Sequence, residues 1–168
     1  MGKKLYLVRH AKTEQDSIDG TDFSRVLKPR GLRDSTLIGS KLNAQESKPD
    51  LIITSAAARA KQTADIIASQ FGFGPGQIHQ NDELYMASAR TFLQAVNQLK
   101  NEWGSVMMVG HNPIITYLAE YLSDYELGYM PTGAVVSIDF PFEDWSMISK
   151  STGEVEFYIT PKMLKQDA

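Results

Sequence analysis

The chain contains no cysteine. That excludes disulfides, thiolate metal sites and a thiol nucleophile, and it fits a reducing, cytoplasmic location. No apolar run approaches the length of about 18 residues that a membrane-spanning helix needs, so no membrane association is expected. The apolar stretch near the N-terminus is too short for a signal peptide and is followed at once by charge. There is no surplus of positive charge: 17 Lys and Arg stand against 20 Asp and Glu, a net charge of -3. A general nucleic-acid binder, which needs a basic surface, is therefore not expected, although one local cationic pocket is still allowed. Internal repeats, linkers and low-complexity tracts are absent. So is the His, Asp and Glu spacing of a metal site, and neither a metal nor another cofactor is expected. What is present is 168 residues, 42% hydrophobic and 22% charged. That is the make-up of an ordinary globule, a single domain over residues 1–168 with enough chain to bury a sizeable core.

Three short apolar runs carry the argument. Leu5 to Val8 reads as a buried strand and stops on Arg9-His10. Leu51 to Thr54 reads as a second and stops on Ser55. Val106 to Val109 reads as a third and stops on Gly110-His111. Between them lie a polar loop from Lys12 to Arg30 with a helical turn near Phe23 to Leu27, a helix over 31–44, and an Ala-rich helix from Ala56 to about Gly72. A short extended piece follows at 77–79, then a helix capped by Ser88 and running to Trp103. Asn112 as N-cap and Pro113 as first helical residue open a further helix to about Ser123. Strands are expected over 134–140 and 154–160, with a third between them at 145–148 forming a meander. Alternating strands and helices imply an α/β fold: a mainly parallel sheet covered on both faces, with an antiparallel edge at the C-terminal end.

In open parallel sheets, ligands bind beyond the carboxyl ends of the strands. That rim would gather Arg9, His10, Arg59 and His111, together with two helix N-termini. A guanidinium is a planar, permanently charged fork that matches phosphoryl oxygens, and a helix N-terminus offers free N–H groups. Cations near His10 would keep its imidazole neutral and its lone pair available. The expected chemistry is in-line attack of His10 on phosphorus, a phosphohistidine intermediate and its hydrolysis by water. Asp82 and Glu83 precede the Ser88 helix, and Glu83 is the candidate proton donor.

The residues LYLVRHA, SAAARAKQTA and VGHNP, in this order at matching strand ends, resemble the histidine phosphatase superfamily. LYMAS, DFSRVLKPRG, MPTGAVV and Ala11 after the Arg-His pair resemble its SixA-type phosphohistidine phosphatases. The likeness spans the whole chain. It implies the three-layer sandwich of the phosphoglycerate mutase-like fold, with His10 phosphorylated and Arg9, Arg59 and His111 completing the phosphate pocket. It also implies a site without a large lid, better suited to a phosphorylated protein than to an enclosed metabolite.

The remaining candidates read more plainly. His79 is a surface residue, Met107 and Met108 are core, and Arg25 and Arg30 are solvated or rim cations. Lys12 and Thr13 sit beside the pocket. The leading expectation is a metal-independent phosphatase acting on phosphohistidine in proteins. Its rivals are a phosphomonoesterase for a small phosphoester metabolite and a non-catalytic phosphate-binding module.

Overall fold

The computed structural model describes residues 2–166. Strands β1 (Lys3–Arg9), β2 (Leu51–Ser55), β3 (Ile78–Asn81), β4 (Ser105–Gly110), β5 (Val135–Phe140) and β6 (Glu154–Ile159) form one sheet in the order β3-β2-β4-β1-β5-β6. The first four run parallel. β5 is antiparallel to both β1 and β6, so the antiparallel edge lies where the sequence placed it. Helices α1 (Pro29–Ala44), α2 (Ala58–Phe71), α3 (Ala89–Asn97), α4 (Ile114–Ser123) and α5 (Pro161–Gln166) complete the described residues. None of these helices is long and apolar enough to cross a membrane.

Successive side chains of a strand point to opposite faces, and β1 feeds two cores in this way. Leu5 and Leu7 join Met108, Phe92 and Val96 of α3, Ile115 and Leu118 of α4, and Trp145. Tyr6 and Val8 join Met107, Ile38 and Leu42 of α1, and Ala60, Ala64 and Ile67 of α2. The central strands are apolar at nearly every position because both faces are covered. The result is a three-layer sandwich.

Register sets the functional rim. Arg9 pairs with Gly110, Thr54 with Val109, and Ser55 with Asn81. The parallel strands therefore end level with one another.

Several local expectations are corrected. α3 ends at Asn97, not at Trp103. Asn97 instead donates its amide to the carbonyls of Trp145 and Ile148, both at 2.9 Å, and residues 98–102 turn to let Leu99 and Trp103 reach the core. The stretch 145–148 is a 3-10 turn, not a strand. Trp145 and Ile148, three apart, are both buried, which is the period of that helix and not of a strand. Asp144 caps it by accepting from the Ser146 N–H at 2.9 Å. The helical turn expected over 23–27 is a single hydrogen-bonded turn at 23–24, closed by the Arg25 N–H on the Asp22 carbonyl at 3.2 Å. The loop is held across its base by the Thr13–Leu27 bridge and by the Lys28 N–H on the Lys12 carbonyl. α4 begins at Ile114, with Pro113 at the cap position. Asn112 lies one residue further out, and its side-chain carbonyl accepts from the Thr116 hydroxyl at 2.7 Å.

Candidate active site

The end of β1 is clamped from both sides. The Arg9 N–H donates to the Ala134 carbonyl and the His10 N–H to the Gly110 carbonyl, each at 3.1 Å. The Gly133 N–H caps the Arg9 and His10 carbonyls at 3.1 and 3.0 Å. Gly133 has φ +80° and lies against Pro161, a position where a side chain would be both strained and crowded. Ala11 donates its N–H to Thr63 Oγ1 at 3.0 Å, and the Thr63 hydroxyl donates to the Arg59 carbonyl. The segment after β1 and the first turns of α2 are thus one unit.

His10 is 6% exposed. Its Nδ1 lies 2.8 Å from the Ala11 carbonyl. A carbonyl only accepts, so the ring proton sits on Nδ1 and Nε2 keeps a bare lone pair. Burial first, and then the charges of His111, Arg59 and Arg9, push its pKa down to about 3 against the Ala11 bond. The His10 and His111 rings stand 5.2 Å apart. His111 follows β4, with Nε2 2.8 Å from Ser55 Oγ. Burial, Arg59 and Arg9 bring it down to about 4, opposed by Asp22.

Arg59, in the first turn of α2, is 6% exposed. It donates Nη1 to the Asp22 carbonyl at 2.8 Å and Nη2 to Asp22 Oδ2 at 2.9 Å. The Tyr85 hydroxyl donates to the same Oδ2 at 2.8 Å, and Arg25 Nε meets Oδ1 at 3.1 Å. Burial acts to raise the Asp22 pKa, but the bonds from Tyr85 and Arg59 outweigh it and leave it lowered, so this carboxylate is ionised. Arg9 donates Nη1 to the Tyr129 hydroxyl at 2.7 Å and to the Met130 carbonyl at 3.0 Å, with the Tyr129 ring beside the guanidinium. Arg9 Nε, Arg59 Nε and His111 Nδ1 are buried and have no hydrogen-bond partner among the described residues. Three such nitrogens in one cluster are donors or acceptors that an anion or water at the rim can satisfy.

The rim therefore brings Arg9, His10, Arg59 and His111 together, and Glu83 lies in the turn that leads into Leu84 and Tyr85 beside them. Glu83 is exposed in the 3-10 turn at 82–84. Among the described residues no hydrogen bond or ion pair ties its carboxylate to the four. Arg25 is held by Asp22, and Arg30 by the buried Asp34. Thr13 belongs to the bridge that closes the loop, and Lys12 contributes its carbonyl beside it. His79 is exposed, and Met107 and Met108 are fully buried. No three His, Asp or Glu side chains among the described residues gather as metal ligands would.

Sequence reasoning missed Asp22, Tyr85 and Tyr129. A signal for Asp22 was present: an arginine buried in the first turn of a helix needs a carboxylate, and the loop crossing the rim had to supply it. An apolar hollow of about 210 Å³ lies beside His111, lined by Leu84, Met86, Phe92 and Pro113 among others.

The profile of the histidine phosphatase superfamily (branch 1) matches residues 5–86. An uncharacterized protein of Mycobacterium tuberculosis is 32% identical over 117 residues, which is 69% of this chain and 70% of that protein. This chain belongs to the histidine phosphatase superfamily. Within the superfamily it is of the SixA type. A SixA structure from Agrobacterium tumefaciens superposes with a TM-score of 0.81 at 27% identity, covering 96% of this chain and 99% of that one. The protein histidine phosphatase SixA complexed with tungstate gives the same TM-score and coverage at 24% identity. The phosphoglycerate mutase-like sandwich of this superfamily is thus the fold of the present chain.

Proposed function

We propose that this protein is a metal-independent phosphatase that works through a phosphohistidine on His10 and takes phosphohistidine in proteins as its substrate. One observation carries the reading: a buried, neutral imidazole with Nδ1 fixed on the Ala11 carbonyl and Nε2 free, set among two guanidiniums and a second imidazole. Arg9 and Arg59 receive the phosphoryl oxygens and offset the charge that builds up in transfer. The His10 Nε2 lone pair forms a bond to phosphorus. The bond from phosphorus to the leaving group breaks, and its electron pair departs with the leaving atom, which takes a proton from solvent. Water then attacks phosphorus and the P–Nε2 bond breaks. Phosphate leaves and His10 returns to its neutral form, the water proton passing to solvent.

An imidazole leaving group is expelled easily and asks little of a general acid. That fits a site whose bonded carboxylate, Asp22, is ionised and engaged by Arg59, and whose other candidate, Glu83, is exposed. The exposed Phe23, Met86 and Tyr129 flank the site residues in the chain or in contact with them, and they offer apolar surface to a protein substrate. The likeness to a protein histidine phosphatase supports the same substrate class.

The test is a rapid alkaline quench during turnover of a labelled phosphohistidine protein, beside a panel of small phosphoesters. Acid-labile label on the wild type, none on His10→Ala, and faster turnover of the protein substrate are expected. Esters turned over by a wide margin would transfer the reading to a phosphomonoesterase. Binding of phosphate with no label at any time would make the protein a phosphate-binding module.

A further inference from the structure

We propose that Ser55 is a positioning residue that holds the single proton of His111 on Nδ1, making that N–H a donor to the phosphoryl oxygens. The reading of the cluster as a phosphate site is taken from the proposed function; the tautomer itself does not depend on it.

A count of protons fixes the tautomer. Ser55 closes β2 and is completely buried. Among the described residues its Oγ has two partners: the Ala57 N–H at 3.3 Å and His111 Nε2 at 2.8 Å. The Ala57 N–H can only donate, so it uses a lone pair of the hydroxyl. The hydroxyl proton needs an acceptor, and His111 Nε2 is the one within reach. Were Nε2 protonated instead, Oγ would accept twice and its own proton would be left buried and unpaired, a cost the fold avoids. A ring kept neutral by burial and by neighbouring cations carries one proton, and with Nε2 accepting, that proton is on Nδ1.

The ring's own preference presses the other way. A neutral histidine ring by itself favours its proton on Nε2, so without Ser55 the proton would move there. Nδ1 would then meet an incoming phosphoryl oxygen lone pair to lone pair. With Ser55 in place, His111 Nδ1 joins Arg9 Nε and Arg59 Nε as a third buried N–H that no atom of the described residues satisfies. Ser55 has a plainer role too, accepting from Ala57 at the start of α2. Losing that bond would destabilise the protein without moving any imidazole proton.

Long-range proton–nitrogen NMR on the 15N-labelled protein, at neutral pH and without phosphate, separates the two roles. A protonated ring nitrogen resonates far from a bare one, and His111→Gln assigns the signals. Wild type is expected to show His111 protonated on Nδ1, Ser55→Ala to move the proton to Nε2, and Ser55→Thr to restore the wild-type pattern. The inhibition constant for vanadate should weaken about tenfold in Ser55→Ala, the size of one charge-assisted hydrogen bond, and recover in Ser55→Thr. A wild-type His111 protonated on Nε2, an unchanged pattern in Ser55→Ala, or unchanged vanadate affinity would each overturn the proposal. A wild type with the stated tautomer but no turnover or label would instead sink the phosphatase reading.

Discussion

Acid should unfold this protein through the same imidazoles that the site keeps neutral. In the unfolded chain His10 takes a proton near its ordinary value of 6.5, whereas in the folded protein it does so only near 3. Between those values the unfolded state binds more protons, so stability falls as pH is lowered through that window and is untouched above it. At about 1.4 kcal/mol per pH unit, going from pH 7 to pH 5 removes about 2 kcal/mol through His10. His111, folded value about 4, removes about 2 kcal/mol more over the same interval. Together that is a large share of the stability of a domain this size, about 5–15 kcal/mol. The assay is urea unfolding at both pH values in a buffer free of phosphate, comparing wild type with His10→Asn. Asparagine keeps an N–H for the Ala11 carbonyl but does not titrate, and the groups that do not act on His10 cancel in the difference. The variant should lose about 2 kcal/mol less than wild type over this interval. Equal losses would mean that His10 is not held neutral in the folded state, and the account of its free lone pair would fall with it.

Other expectations are more direct. Arg59→Ala should raise the vanadate inhibition constant and lower kcat/KM by about 3 kcal/mol, the size of a lost charge-assisted contact to developing charge; a change within twofold would remove Arg59 from the phosphate pocket. Vanadate should compete with substrate as a five-coordinate mimic, and prolonged treatment with a chelator should leave turnover unchanged. Loss of activity restored by a divalent cation would expose a metal step. Gly133→Ala should destabilise by about 2 kcal/mol or more, from left-handed backbone strain and the contact with Pro161, measured by thermal unfolding; a neutral result would show that this turn can relax. At the substrate level, His10→Ala should abolish turnover while its unfolding midpoint at neutral pH stays near that of wild type.

Much of this could be read from the chain because both signals are local. An apolar run that halts on a charged residue marks a buried strand and its mouth at once, and three such runs gave the parallel sheet and four of its rim residues. Periodicity failed where a side chain made a tertiary bargain. The apolar positions Phe92, Val96, Leu99 and Trp103 fit one helical face, yet Asn97 turns its amide to the 145–148 carbonyls and the helix stops there. Trp145 and Ile148 look like strand residues by composition, and only their three-residue spacing of burial gives the 3-10 turn away. Asp22 and Tyr85 were harder to see: a buried arginine calls for a carboxylate, but nothing local says which one answers. They are brought to Arg59 across 37 and 26 positions of sequence by a loop without regular structure, and no pattern of spacing encodes such a meeting.

The reversed direction of β5 has a consequence for how this scaffold can vary. Since it enters the sheet where β1 leaves, the connection before it delivers Met130 and Tyr129 to Arg9 from the opposite flank to Asp22. Two separate loops thus act as jaws about a fixed floor of strand ends. Either can be lengthened, trimmed or recoloured to admit a different phosphorylated guest while the hydrogen-bonded floor stays as it is.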